Sequence, residues 1–527
     1  MKKNIKLGFL ILAVCLLSLF VFSACGDNDG DGNQDQPENS NLFIVQEGDN
    51  FILKGIFDQS QTEVVVPAYV THIAYNAFAG NELLKKLTFE DGSQLVSMDT
   101  NVFDGCTSLE EVELPESIKE IPNYTFSGCS SLAKITMSNS ITKIGVGAFF
   151  SCPIVFDIPE TIIEIGDFSF ADSGLRSIFI TSRITSIGKQ AFRDCTMLDE
   201  VIFDSNCQIQ AIKESTFSGC TSLTEICIPS SVETIERYAF SDCTSLKKVD
   251  FEENSVLHTI KEYAFSGCDA ITHLTIPNSI VNYGTDCLYS CVEITHLVAP
   301  TSVFSQLQHT YNLESVVITT GTEIPNNTFA GLSKLSEVIL PNTITRIGDR
   351  AFSGCNLSSF TIPSSVEHIG SDAFSGCNFT TFTIPANVKT IGLGAFGSCT
   401  KLESIVFESG IQINTIPEWM FANCGRLSSI EIPEGVVSIG ANAFTRCYML
   451  NTVVLPSSLS TIGESAFSEI IVQTMYVNSM LASIGDYAIS CVGQEVFFSG
   501  TMEEWASANS AITAPTIHCS DGDLTQN

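Results

Sequence analysis

Positive charge is scarce in this chain: 25 Lys and Arg stand against 59 Asp and Glu, a formal net charge of −34 over 527 residues. So acidic a surface repels phosphate backbones and anionic headgroups. It argues against nucleic acid, heparin-like polymers and adsorption to a bilayer through protein charge, and it favours cationic partners. The usual catalytic signatures are missing too. There is no His-Glu-x-x-His, Gly-x-Ser-x-Gly, phosphate loop or Cys-x-x-Cys, and histidines number only 7. Carboxylates are plentiful but scattered over turns, and nothing singles out a pair for glycoside hydrolysis. The expectation is a chain without catalysis or cofactor. Long apolar runs are absent except at the start.

That start is a separate element. Lys2, Lys3 and Lys6 precede an uncharged apolar run from Leu7 to Phe22, and Ser23-Ala24 leads into Cys25. Residues 1–24 read as a secretion signal, too short and wrongly flanked for a permanent transmembrane helix. Small residues directly before a cysteine resemble a bacterial lipobox, which implies that Cys25 becomes the lipidated first residue of the mature chain. Phe22 departs from the Leu usual three places before that cysteine, and ordinary cleavage near Ala24 is the alternative. Losing the three lysines takes the formal charge from −34 to −37. No Lys or Arg occurs between Leu7 and Lys54, and residues 25–40 form an acidic, flexible tether. An acidic stretch behind a lipidated cysteine resembles the signal that sends lipoproteins to the outer face of the outer membrane. Asp27, Asp29, Asp31, Gly32 and Glu38 also match a calcium-loop spacing, but Gln34 and Pro37 break it and a charged spacer is the plainer account.

From about Ala77 to Cys491 one phrase returns: Ala-Phe-x-x-Cys-x-x-Leu-x-x-Ile-x-Ile-Pro-x-x-Val-x-x-Ile-Gly. Leu223-Thr224-Glu225-Ile226-Cys227-Ile228-Pro229 has the two-residue period of a half-buried strand, closed by a proline that cannot join the ladder. Val366-Glu367-His368-Ile369-Gly370 reads as the return bend. The Ala-Phe pair sends an aromatic ring under the next turn. Central strand residues run from Leu87 through Ile226 and Val338 to Phe497, with most steps 21 to 25 residues. Units with Phe-Glu or Phe-Asp in place of Ile-Pro (Phe89-Glu90, Phe203-Asp204, Phe251-Glu252, Phe407-Glu408) take the longest steps. Such short units bury their apolar faces only against neighbours, so the fold expected is a mostly β solenoid of about 19 turns, roughly 90 Å along its strand stack.

This phrase resembles the BspA-like leucine-rich repeats, over about nine tenths of the mature chain. The resemblance implies a curved solenoid with parallel strands on its concave face and N- and C-terminal caps. It also implies a surface-associated protein whose relatives in some cases adhere to host matrix proteins. The organisation expected is residues 41–76 as N-terminal cap and first strand, 77–296 as one repeat arm, 297–328 as a short irregular repeat, 329–494 as a second arm and 495–527 as the C-terminal cap. The step from Leu297 to Val316 is only 19 residues, without an Ala-Phe pair, which predicts a bend between the arms. Trp505 is expected to cover the last core layer.

Of 20 cysteines, most share one place in the repeat, as Cys106, Cys129, Cys399 and Cys447 do; Asn81, Ser173 and Leu332 replace them elsewhere. Interchange with such residues points to buried free thiols rather than disulfides. Two histidines, His273 and His296, lie one repeat apart in the same phrase and are weak candidates for a metal site, two solvated imidazoles being the plainer reading. On the exposed strand face the residues after the central position lose charge over six rungs: Val298, Val317, Ile339, Thr361, Thr383 and Val406. This strip is the candidate binding face for a protein or glycan, host matrix protein included; the preference of β-branched residues for strands explains it equally well. The functional expectation is a lipid-anchored outer-membrane lipoprotein displayed on the cell surface for binding or adhesion. A passive envelope spacer is the alternative, and an enzyme acting on extracellular polymers the third.

Overall fold

The computed structural model describes residues 41–153, 158–289, 291–306, 311–470, 472–478, 480–489, 492–508 and 516–525. The leader, Cys25, the acidic tether and the strand expected around Phe156 lie outside them. Leu42–Asn527 forms one compact unit. It is a parallel β-solenoid of about 19 turns, nearly all β.

One turn shows the logic of the phrase. Glu225–Ile228 is a strand in which Ile226 and Ile228 point inward and are buried, while Glu225 and Cys227 point out. Its neighbours add in parallel register, Ile226↔Val249↔Leu274↔Leu297↔Val316↔Val338. Burial of every second side chain fixes that register, because a one-residue slip would turn the core residues out.

The segment expected only to bend makes a second stack of strands. Thr234–Ile235 pairs in parallel with Ala211–Ile212 and Thr259–Ile260, which pairs on to Asn282–Tyr283. Where a glycine follows such a strand, as after Glu164–Ile165, it is needed for close approach rather than for the bend. A Cβ on Gly166 would stand 2.6–2.8 Å from the backbone of Gly145 and Val146 in the turn below.

The third side of each turn carries the rings. Phe78 to Phe265 stack face to face at 5.2–5.6 Å between centroids, and Phe329 to Phe467 at 5.0–5.9 Å. Left-handed residues recur four apart in the backbone here. Tyr238 and Asp242 are left-handed (φ 56° and 60°), and the N–H groups of Tyr238, Phe240 and Asp242 donate to Glu262, Ala264 and Ser266 of the next turn. These bonds outweigh the cost of a left-handed tyrosine. Each cysteine of the ladder is free, and its Sγ donates to the carbonyl of the phenylalanine one turn earlier: Cys243 to Phe217 at 3.1 Å, Cys399 to Phe374 at 3.2 Å. Where cysteine stands the position therefore supplies a donor as well as a small volume, while Leu332 fills the same place by volume alone.

The Phe-Glu units explain themselves. Glu252 N–H donates to the carbonyl of Ile228, a bond proline cannot make, and its carboxylate accepts from Ser230 N and Oγ at 2.8 and 3.0 Å. Glu90 and Glu408 accept from Ala68 N and Ala386 N in the same way. The longer loop disturbs pairing with the following turn. Lys248–Phe251 pairs onward through two residues only, and Glu200–Phe203 is not hydrogen-bonded to Glu225–Ile228, nor Ser404–Phe407 to Ser429–Glu431.

At residues 297–328 the long-strand sheet runs through without a break, from Glu225–Ile228 to Glu337–Ile339, so no division into arms occurs on that side. The irregularity falls elsewhere. A 3-10 helix, Thr301–Gln306, replaces the corner, the short-strand stack stops at Asn282–Tyr283, and the ring ladder is interrupted, Phe304 meeting Phe329 edge-on.

Both ends are covered. The antiparallel hairpin of Leu42–Glu47 and Asn50–Ile56 starts the short-strand stack. At the other end the helix Met502–Ala508 opens with a reciprocal cap between Thr501 and Glu504, and its Trp505 is buried edge-on to Phe498. Thr516–Cys519 then extends the long-strand sheet and Gly522–Thr525 closes it antiparallel.

Candidate ligand-binding face

The long strands offer two outward columns, one on each side of the central buried residue. In the second column Thr275↔Val298↔Val317↔Ile339 stand in register, with Val298 and Val317 half-buried and Ile339 exposed. Thr383 and Val406 form a second registered pair, both exposed. Thr361 belongs to neither. No strand forms around Phe360, but Thr361 is exposed and lines the same cavity as Ile339. Two successive units there have shortened corners, Cys355-Asn356-Leu357 and Cys377-Asn378-Phe379. The ring of Phe360 leans against Phe352 and Phe374 at 52° and 55°.

His273 and His296 are adjacent and in register, as expected, with rings stacked at 4.4 Å and 4°. Each Nδ1 is held by the preceding threonine, Thr272 Oγ1 at 3.0 Å and Thr295 Oγ1 at 2.9 Å. Parallel rings at this spacing point their free nitrogens the same way and do not converge on one ion. Among the described residues no group of three or more potential metal ligands occurs.

The same column holds apolar side chains that the composition argument passed over. Phe179 and Ile202 are in register and 48% and 45% exposed, and Cys227 follows on the next turn. Reading for loss of charge hid them, because acids flank them. Glu200 and Glu225 occupy the other outward column, and Asp250 follows Cys227, paired with Lys248 at 2.6 Å. A cleft of about 480 Å³ opens here, where the sheet is interrupted.

The thiols offer no reactive group along the core. Burial pushes Cys106, Cys355, Cys399 and Cys447 up to about 12. A nucleophilic cysteine needs the opposite shift.

The chain belongs to the family described as the BspA type leucine-rich repeat region, whose model matches residues 51–156, 155–220, 210–321, 322–424 and 414–508. Solved structures similar to it include a leucine-rich repeat protein from Bacteroides ovatus, 23% identical, covering 81% of this chain and 95% of that one with a TM-score of 0.42. Another, from Eubacterium ventriosum, is 21% identical over 64% of this chain and 93% of that one, with a TM-score of 0.31. A leucine-rich cell surface protein from Faecalibacterium prausnitzii is 19% identical over 92% and 99%, with a TM-score of 0.21. No curated protein matches.

Proposed function

We propose that this is a surface-anchored binding or adhesion protein that holds a protein or glycan ligand along its long-strand face. The observation that carries this reading is the outward column, where Val65, Phe179, Ile202, Ile339 and Val406 are 45–53% exposed although the core does not use them. Exposed apolar groups repeated along a regular face are what a partner covers. Membership of a leucine-rich repeat family supports a role in interaction.

The chain from Asn41 onward, offered immobilised matrix proteins and glycans, should capture a ligand. Val317→Lys with Ile339→Lys should abolish that capture while leaving the circular dichroism spectrum unchanged. Capture of nothing by the wild type would favour a passive envelope spacer instead.

The lipid anchor at Cys25 and display on the outer membrane belong to the same proposal. They rest on the small residues before Cys25 and the acidic stretch behind it. Cys25→Ser should abolish lipid labelling and release the protein from the membrane fraction. Unchanged labelling would refute the anchor.

A further inference from the structure

The four units that carry Phe-Glu or Phe-Asp loops do more than lengthen a turn. At Phe203-Asp204 the longer loop coincides with loss of hydrogen bonding between Glu200–Phe203 and Glu225–Ile228, and a cleft lies across that gap. Ile202 and Cys227 form its apolar floor, and Phe179 extends the floor by one turn toward the N-terminus. Glu200 and Glu225 stand on one side of the floor, exposed, and Lys248 follows Glu225 in the same column. Among the described residues one cation lines the cleft, Lys248, bound to Asp250 at 2.6 Å. Around Val406 the arrangement recurs. The Phe407-Glu408 loop, a second interruption of the sheet and the carboxylates of Glu408, Glu431 and Glu434 surround that apolar side chain.

We infer that the cleft over Phe179, Ile202 and Cys227 is a docking site for an extended basic segment of a polypeptide, apolar side chains down and Lys or Arg alternating against Glu200 and Glu225. This rests on the proposed binding role of the long-strand face and names its partner chemistry. Charge decides the occupant. An apolar floor alone takes any hydrophobic chain, but five carboxylates line this cleft, Asp199, Glu200, Glu225, Asp250 and Glu252, against Lys248, and covering them is a loss unless further cations meet them. An acidic glycan or a phosphorylated segment would be repelled.

The test uses the full-length protein and two dye-labelled peptides, Lys-Leu-Lys-Leu-Lys and Glu-Leu-Glu-Leu-Glu, followed by fluorescence anisotropy. The basic peptide should bind and the acidic one should not, and binding should weaken as salt rises. Glu200→Lys with Glu225→Lys, and separately Ile202→Lys, should each weaken binding about tenfold or more, which is about 1.4 kcal/mol. All three positions are exposed, and an unchanged thermal midpoint confirms folding. Equal binding of both peptides, or unchanged affinity in these variants, overturns the assignment. The Val317→Lys, Ile339→Lys variant should bind the basic peptide like wild type. If that variant loses ligand capture while wild type prefers neither peptide, the broader binding role stands and the cleft assignment falls. If the basic peptide behaves as expected while no ligand is captured through Val317 and Ile339, the cleft stands and the strip does not.

Discussion

Truncating one ring of the ladder should damage the solenoid locally. Phe240 is fully buried and lies between Phe217 at 5.5 Å and Phe265 at 5.2 Å, so Phe240→Ala opens a cavity with a stacked face on either side. Loss of the ring costs about 3–5 kcal/mol, of which the two stacked pairs supply about 1–3 kcal/mol. Each turn touches only its neighbours, so the cost is concentrated on the turns from Phe217 to Phe265 rather than shared by the chain. The amides of Phe217 and Phe240, which donate to Ala239 and Ala264, should exchange about two to four orders of magnitude faster by hydrogen exchange and mass spectrometry. Some loosening should spread toward Val316 through the unbroken long-strand sheet. The rings from Phe421 to Phe467 belong to a ladder segment separated by the interruption between Phe265 and Phe329, and should keep their protection. Uniform loss from Phe126 to Phe467 would refute additive turns and mean one cooperative core.

Two further outcomes follow from the same geometry. The buried thiols should make stability fall in alkali. A thiol that ionises near 9 in the unfolded chain and near 12 in the fold contributes in full below pH 9, and that contribution is lost as pH rises from 9 to 12. Urea midpoints at pH 8, 10 and 11 should decline, less steeply in Cys399→Ala, and the exposed Cys227 should be alkylated on the native protein well before Cys399; a flat profile would contradict the thiol ladder. Glu252→Ala removes the acceptor for Ser230 N and Oγ and should lower stability by about 1–2 kcal/mol, whereas the same change at exposed Glu253 should be neutral by thermal denaturation.

The period of the phrase was enough to establish a stacked β-solenoid, the inward ring at each Ala-Phe pair and a small buried residue where Cys243 and Cys399 stand. Those follow from which residues must leave water, and that selection is local. The second strand stack was not legible. Two residues such as Thr234–Ile235 make a strand only because a neighbouring turn supplies their partners, and the sequence around them reads as a bend. The donor role of the cysteines was hidden for the same reason, since each acceptor carbonyl lies a full turn away.

The binding face divides along the same line. Alternation along each strand determined which columns face out, and Val298, Val317 and Ile339 do line up in register. Whether columns on successive turns join into one surface depends on each corner between them. With shortened corners at Cys355 and Cys377 the turn at Thr361 joins no hydrogen-bonded sheet, and the longer loop after Phe203 opens the cleft beside Ile202. By itself the sequence determined the order of residues around one turn, because hydrophobic alternation is a property of neighbours in the chain. Only the tertiary structure decided which turns meet, because register between turns is settled by packing and hydrogen bonds across a gap of some 20 residues.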